Sequence, residues 1–178
     1  MILVISVCSQ KLSEKEFVEP VARLCGKYRM SDYRSISEKD IENADGIIIC
    51  GTALKDFGYL ENIKAFSWLK KTDRSVLGIC AGMQIIAKTF GLALERKTMI
   101  GTYDIKCSGE NEIISCGKHL SYFLISLSLA SAEGFETVCS CGESPCAIKR
   151  KNIYALSFHP EVLNPQIIRN FERICKNM

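Results

Sequence analysis

No run of apolar residues in this sequence reaches the roughly 18 that a membrane-spanning helix needs. Charge of one sign is also scarce. The 23 Lys and Arg exceed the 20 Asp and Glu by only three, too little to argue for nucleic acid or an anionic membrane as a partner. No basic segment precedes the apolar Ile2-Leu3-Val4-Ile5, so the first residues read as a strand rather than an export signal, and the expected location is cytoplasmic. Several familiar signatures are missing. No two glycines stand two residues apart, which removes the dinucleotide fingerprint, and neither G-x-x-x-x-G-K nor G-x-S-x-G occurs. With two histidines and no C-x-x-C, a structural zinc site is not expected, and no cofactor is implied.

What is present is the composition of an ordinary globular protein: 178 residues, 47% apolar and 24% charged. That length suits one domain over residues 1–178 and buries about 70% of the unfolded surface without staples. Ten cysteines are numerous, but they sit inside apolar runs. Cys8 and Cys50 end strands, and Cys25 and Cys175 lie on helix faces. They are expected to be reduced and mostly structural. Cys139, Cys141 and Cys146 cluster without the paired spacing that zinc prefers.

Strand-like runs alternate with helical patterns through the first half. Ile2 to Cys8, Gly46 to Cys50 and Ser75 to Cys80 read as buried strands, with a short strand near Tyr33 to Ile36. Ser13 to Glu16 forms a capping-box pattern opening a helix with Phe17, Val21, Leu24 and Tyr28 on one face. Glu38 to Glu42 reads as a brief helix, and Tyr59, Ile63, Phe66 and Leu69 stripe a further one. Met83, Ile86, Ala87 and Phe90 stripe the next, with Gly91 as its C-cap. Beyond it come short strands at Tyr103 to Cys107, Asn111 to Cys116, Tyr122 to Leu129, Phe135 to Cys141 and Ala147-Ile148. Ile153 to Phe158 returns to a buried strand, and Asn164 with Pro165 starts a last helix. The alternation implies an α/β fold: an open, mostly parallel sheet with flanking helices plus a small antiparallel insertion.

Two segments carry chemistry. Gly78-Ile79-Cys80-Ala81-Gly82, between a strand and a helix, has the arrangement of a nucleophile elbow with sulfur in place of serine oxygen. The helix N-terminus favours a thiolate at Cys80. Near the other end, Ser157-Phe158-His159-Pro160-Glu161 follows a strand. Read as extended, it aims His159 and Glu161 to one side. A cysteine nucleophile needs a base and an acceptor that orients that base, and His159 and Glu161 meet both needs. The other histidine, His119, has no carboxylate beside it.

Together the two segments resemble the class I (triad) glutamine amidotransferases. Gly78-Ile79-Cys80-Ala81-Gly82-Met83-Gln84 looks like the family's G-x-C-x-G-x-Q, and Phe158-His159-Pro160-Glu161-Val162 like its F-H-P-E-V. The likeness extends over nearly the whole chain and is closest to the separate glutaminase subunit of archaeal-type GMP synthases. It rests there on Gln84 to Gly91, Cys146-Ala147-Ile148 and Ile168-Arg169-Asn170-Phe171. The resemblance implies a flavodoxin-like fold and a glutaminase acting through Cys80, His159 and Glu161. Glutamine is then the substrate, and an ATP-dependent synthetase, as in purine biosynthesis, receives the ammonia. It also implies an oxyanion hole from the Ala81 N–H and the loop at Gly51 and Thr52, with Gln84 against the substrate.

The sequence departs from the family in two places. Cys50-Gly51-Thr52-Ala53-Leu54 stands where a G-G-P-like loop is usual, and Thr52 resists the positive φ that a glycine adopts. Within Leu124 to Leu129, Leu127 takes the place of the histidine in a Ser-His pair, and no acid follows before Glu133. The alternatives to a synthetase-coupled glutaminase are therefore a stand-alone γ-glutamyl hydrolase and a non-catalytic binding or regulatory module.

Overall fold

The structure is a computed structural model that describes residues 1–108 and 111–176. Its frame is set by short, mostly apolar strands: β1 (Ile2–Ser6), β3 (Gly46–Ile49), β4 (Ser75–Ile79) and β9 (Ile153–Leu156), each buried along its length. Successive side chains of a strand face opposite ways, so each run feeds two cores. Ile2, Val4, Ile48 and Leu77 pack with Phe17, Val21, Ile167 and Phe171 on one face. Leu3, Ile5, Ile47 and Val76 pack with Ile41, Phe66, Met83 and Ile86 on the other. Helices thus cover both faces, as a parallel sheet requires.

Among the described residues, nine strands form one sheet. Beside β1 lies β2 (Tyr28–Asp32), and β1, β2, β3, β4 and β9 pair in parallel. The sheet continues antiparallel through β8 (Ser144–Arg150), β7 (Glu136–Cys141), β5 (Leu94–Cys107) and β6 (Gly117–Leu129), in the order β2-β1-β3-β4-β9-β8-β7-β5-β6. The expected α/β architecture is present. Its antiparallel strands are longer than the sequence suggested, because β5 and β6 make a hairpin of 14 and 13 residues. Asn111 to Cys116 is not a strand: the Asn111 side chain accepts from the N–H groups of Ile113 and Ile114 and bends the chain.

The helices also correct several expectations. Ser13 makes no side-chain cap, and the first helix is two single turns, α1 (Glu14–Phe17) and α2 (Glu19–Ala22), because Pro20 cannot lie inside a longer helix. Tyr28 belongs to β2 and is exposed, so that strand precedes the expected Tyr33 to Ile36. The capping box lies instead at Ser37 and Asp40 of α3 (Glu38–Glu42). The stripe from Tyr59 to Leu69 divides into α4 (Gly58–Glu61) and a 3-10 helix over Ile63–Lys70. Helix α5 (Ala81–Thr89) ends as expected at Gly91, with φ +83° and Leu92 donating back to Ala87. Helix α6 (Pro160–Leu163) is a single turn, and α7 (Gln166–Cys175) starts from Pro165. Asn164 does not cap α7 with its side chain, which accepts from Ser121 instead. The cysteines are not all reduced, since Cys107 and Cys139 form a disulfide between register partners of β5 and β7.

Candidate active site

Four chain segments leave the same end of the parallel sheet and meet there, the carboxyl end at which open α/β sheets place ligands. Cys80 follows β4, the Gly51–Phe57 loop follows β3, Ser9 follows β1 and His159 follows β9.

Cys80 has φ 53° and ψ −103°, one of two non-glycine residues at positive φ among those described. Its flanking glycines make that strain possible. A Cβ on Gly78 would sit 2.7 Å from the Gly82 carbonyl group, and one on Gly82 would run into the Ile49 carbonyl. The elbow closes only with hydrogen at both positions. Cys80 is also the N-cap of α5, and Ala81, its first residue, has an N–H with no acceptor inside the helix.

His159 is an extended N-cap residue whose N–H donates to the Tyr122 carbonyl of β6 at 2.8 Å. Glu161 does not lie on an extended segment as expected, because Pro160 opens α6. From the first turn its Oε1 reaches back to His159 Nδ1 at 2.7 Å. Both side chains are buried, at 2% and 5% exposure. Burial alone discourages a charged imidazole, but the adjoining Cys80 sulfur and the Glu161 carboxylate outweigh it and hold His159 well above its ordinary pKa. Among the described residues Nε2 has no geometrically complete hydrogen bond, although the Cys80 sulfur adjoins it, and the thiol leans on the Leu124 carbonyl at 3.4 Å. Gly51 lies between them. A Cβ there would come within 2.7 Å of His159 Cε1 and 3.2 Å of Cys80 Cβ. The structure thus brings Cys80, His159, Glu161, Gly51 and Ala81 together.

Thr52 is buried, at 3% exposure, and neither it nor Gly51 has positive φ. The loop takes a path that a β-branched residue can follow. Gln84 lines the cavity beside Cys80, and both ends of its amide are engaged: Oε1 accepts from Tyr59 at 2.5 Å and Nε2 donates to the Leu127 carbonyl at 3.2 Å. The cavity is small, about 10 Å³, between Thr52, Asp56, Tyr59, Cys80, Leu124 and Ser126. Sequence reasoning missed Tyr59, Asp56 and Ser126, and also the carbonyls of Tyr122, Leu124 and Leu127. No motif marks a backbone carbonyl. Asp56 and Ser126 are ordinary polar residues until the loop is folded. Elsewhere burial pushes up the thiols of Cys8 and Cys50, and those of Cys25 and Cys175 to about 12 and about 11. Among the described residues no group of three His, Cys, Asp or Glu could hold a metal ion, and no helix is long and apolar enough to cross a membrane.

Comparison with known proteins shows the family and the fold. The family model described as glutamine amidotransferase class-I matches residues 21–171. The chain is 30% identical over 164 residues to PdxT, a component of the pyridoxal 5'-phosphate synthase of Methanococcus vannielii, covering 81% of each. It is 31% identical over 156 residues to the glutamine-hydrolyzing GMP synthase of Campylobacter hominis, covering 79% of this chain but only 30% of that one. The solved structure of a candidate GMP synthase component from Thermoplasma acidophilum has the same fold, with TM-score 0.84 over 99% of this chain and 95% of that one at 20% identity.

Proposed function

The chain belongs to the class I glutamine amidotransferases, and from that premise we propose that it is a glutaminase subunit which hydrolyses glutamine to glutamate and ammonia and passes the ammonia to a synthetase. The observation that carries the reading is Cys80 at φ 53°, at the head of α5, with the His159–Glu161 pair across Gly51. The sulfur attacks the side-chain amide carbon of glutamine. His159 takes the thiol proton at Nε2 and returns it to the departing nitrogen, so that ammonia leaves and a γ-glutamyl thioester remains. Water then attacks the thioester, His159 receives its proton, and the carbon–sulfur bond breaks to free glutamate and the thiol. Glu161 fixes the Nδ1 tautomer. The Ala81 N–H and the backbone at Gly51 and Thr52 receive the oxyanion. Gln84 shapes the substrate cavity together with Tyr59.

The relatives bear on the acceptor. They include a GMP synthase and a component of a pyridoxal 5'-phosphate synthase. With the sequence likeness to archaeal-type GMP synthases, this favours an ATP-dependent synthetase of that type. A cavity of about 10 Å³ is far below the ~300 Å³ at which ligand pockets begin. Glutamine therefore enters only when the Gly51–Phe57 loop and β6 part, and docking of a synthetase supplies the differential contacts for that shift.

The test is glutamate release by the pure chain, alone and with the candidate synthetase and its nucleotide substrates. Activity that is low alone, rises with the partner and disappears in Cys80→Ala supports the reading. A high rate that no partner changes points to the stand-alone γ-glutamyl hydrolase. No turnover under any condition, with Cys80 inert to a glutamine-like electrophile, points to the non-catalytic module.

A further inference from the structure

Asp56 is the one carboxylate among the residues lining the cavity beside Cys80. It ties three segments together. Oδ2 accepts from the Ser9 N–H at 2.7 Å and from the Thr52 hydroxyl at 2.8 Å. Oδ1 accepts from the Ser9 hydroxyl at 2.6 Å and from the Gly58 N–H at 3.4 Å. From the far side, Ser126 of β6 holds the Leu54 carbonyl at 3.2 Å. The segment that must supply an oxyanion donor is therefore held at Thr52, whose hydroxyl Asp56 grips, and at Leu54, whose carbonyl Ser126 holds. A threonine lacks glycine's range of backbone conformations. With its hydroxyl fixed as well, the peptides on either side of it have little freedom left.

We infer that Asp56 is a positioning residue for glutamine hydrolysis: through Thr52 and Ser9 it holds the backbone at Gly51 and Thr52 beside Cys80 in the orientation that meets the developing oxyanion. The inference rests on the glutaminase reading above. Its chemistry is specific to a carboxylate. All four contacts come from donors, and the two backbone N–H groups reach different oxygens, Ser9 to Oδ2 and Gly58 to Oδ1. An asparagine in either orientation turns its NH₂ toward a backbone N–H that cannot accept a hydrogen bond. Asp56→Asn is thus nearly isosteric and still breaks the clamp.

The experiment uses the intact chain, with glutamine as substrate, under whichever condition the unmodified protein turns over. Asp56→Asn and Thr52→Val should each lower kcat by roughly 30- to 100-fold, the scale of an oxyanion donor lost or misdirected. KM should stay within about twofold, because the oxyanion exists only after binding. Thr52→Ser, which keeps the hydroxyl that Asp56 grips, should lose much less kcat than Thr52→Val. The double variant should be no worse than Asp56→Asn, since both act through one contact. Amide hydrogen exchange should quicken at residues 51–54 in Asp56→Asn and Thr52→Val, while circular dichroism and Tm show that the fold persists. An unchanged kcat in Asp56→Asn, a loss confined to KM, or unaltered exchange at 51–54 overturns the inference and leaves the glutaminase reading standing. No Cys80-dependent glutamate from the parent chain, with or without a synthetase, overturns the reading and the inference with it.

Discussion

Replacing Gly51 by alanine adds one methyl group at the point where the reactive side chains are most crowded. Its Cβ would stand 2.7 Å from His159 Cε1, 3.2 Å from Cys80 Cβ and 3.5 Å from His159 Nε2. Ordinary contact begins at 3.4 Å, so the imidazole must retreat by about 0.7 Å or the loop must rise by as much. The ring has little room behind it. Phe17 and Tyr122 lie with ring centroids 5.8 and 6.4 Å away, and Glu161 grips Nδ1 at 2.7 Å. Overpacking of this kind costs about 1–3 kcal/mol, or about 2–4 °C of Tm for each kcal/mol in a chain of this size. The larger effect falls on chemistry, because a displacement approaching 1 Å costs on the order of 100-fold in rate. Glutamate release by Gly51→Ala should therefore fall about 100-fold, mostly in kcat, while Tm falls by only a few degrees. Gly51→Ala with the parent kcat would refute the placement of Gly51 between thiol and imidazole. A loss explained wholly by unfolding at the assay temperature would refute it as well.

Glu161→Gln should be less damaging than His159→Ala in the same assay, because Glu161 orients a base that itself takes part in every proton transfer; equal losses would contradict this division of roles. His159 should stay protonated above the ordinary pH of about 6.5, as followed by imidazole NMR. Cys80→Ala should bring its titration down, since the sulfur is the first of the influences holding it up. The stability that His159 contributes is then complete below about 6.5 and lost as pH rises through the raised folded value; a titration indifferent to Cys80 would disprove the pairing. Ellman titration in denaturant should find eight thiols before reduction and ten after it, given one disulfide and eight free cysteines. Closing the loop between Cys107 and Cys139, 32 residues apart, is worth about 3–4 kcal/mol by chain entropy. Reduction should therefore lower Tm by several degrees, and an unchanged Tm would argue against the crosslink.

The parallel half of the sheet was readable because its strands have no polar side to hide. Ile2–Ser6, Gly46–Ile49 and Ser75–Ile79 are buried on both faces, and such runs announce themselves. The edge strand Tyr28–Asp32 is half exposed and reads Tyr-Arg-Met-Ser-Asp, so nothing in its pattern separates it from a loop. The long hairpin was underestimated for a related reason. From Leu94 to Met99 the chain is mostly charged and polar, and a register shift between Arg96 and Met99 breaks the alternation that marks a strand. Cys80 was legible from glycine spacing, since steric closure of the elbow is a local demand. His159 and Glu161 were legible as residues but not as geometry, because Pro160 turns the segment into a helix one residue earlier than an extended reading allows. The Cys107–Cys139 pairing depends on the register of β5 against β7, which no spacing along the chain reveals.

The backbone of β6 explains how the site stands without a histidine at position 127. Strand β6 serves it mainly through its backbone. The Tyr122 carbonyl takes the His159 N–H, the Leu124 carbonyl takes the Cys80 thiol and the Leu127 carbonyl takes the Gln84 amide. Ser126 adds a side-chain hydrogen bond to the Leu54 carbonyl across the cavity, and the Tyr122 ring packs by His159. A backbone carbonyl is presented whatever side chain the residue bears, so a leucine at position 127 leaves these contacts intact. The thiol rests on Leu124 and the loop is held by Ser126 and Asp56, so the elbow, the loop and β6 are tied together across the cavity. Among the described residues, the Ser126–Leu54 contact is the hydrogen bond by which a β6 side chain reaches the Gly51–Phe57 loop, so parting the loop from β6 breaks it. Ser126→Ala should accordingly raise basal glutamate release in the absence of a synthetase and narrow the stimulation a synthetase gives. A basal rate that stays at the parent level would show that the closure lies elsewhere in the loop.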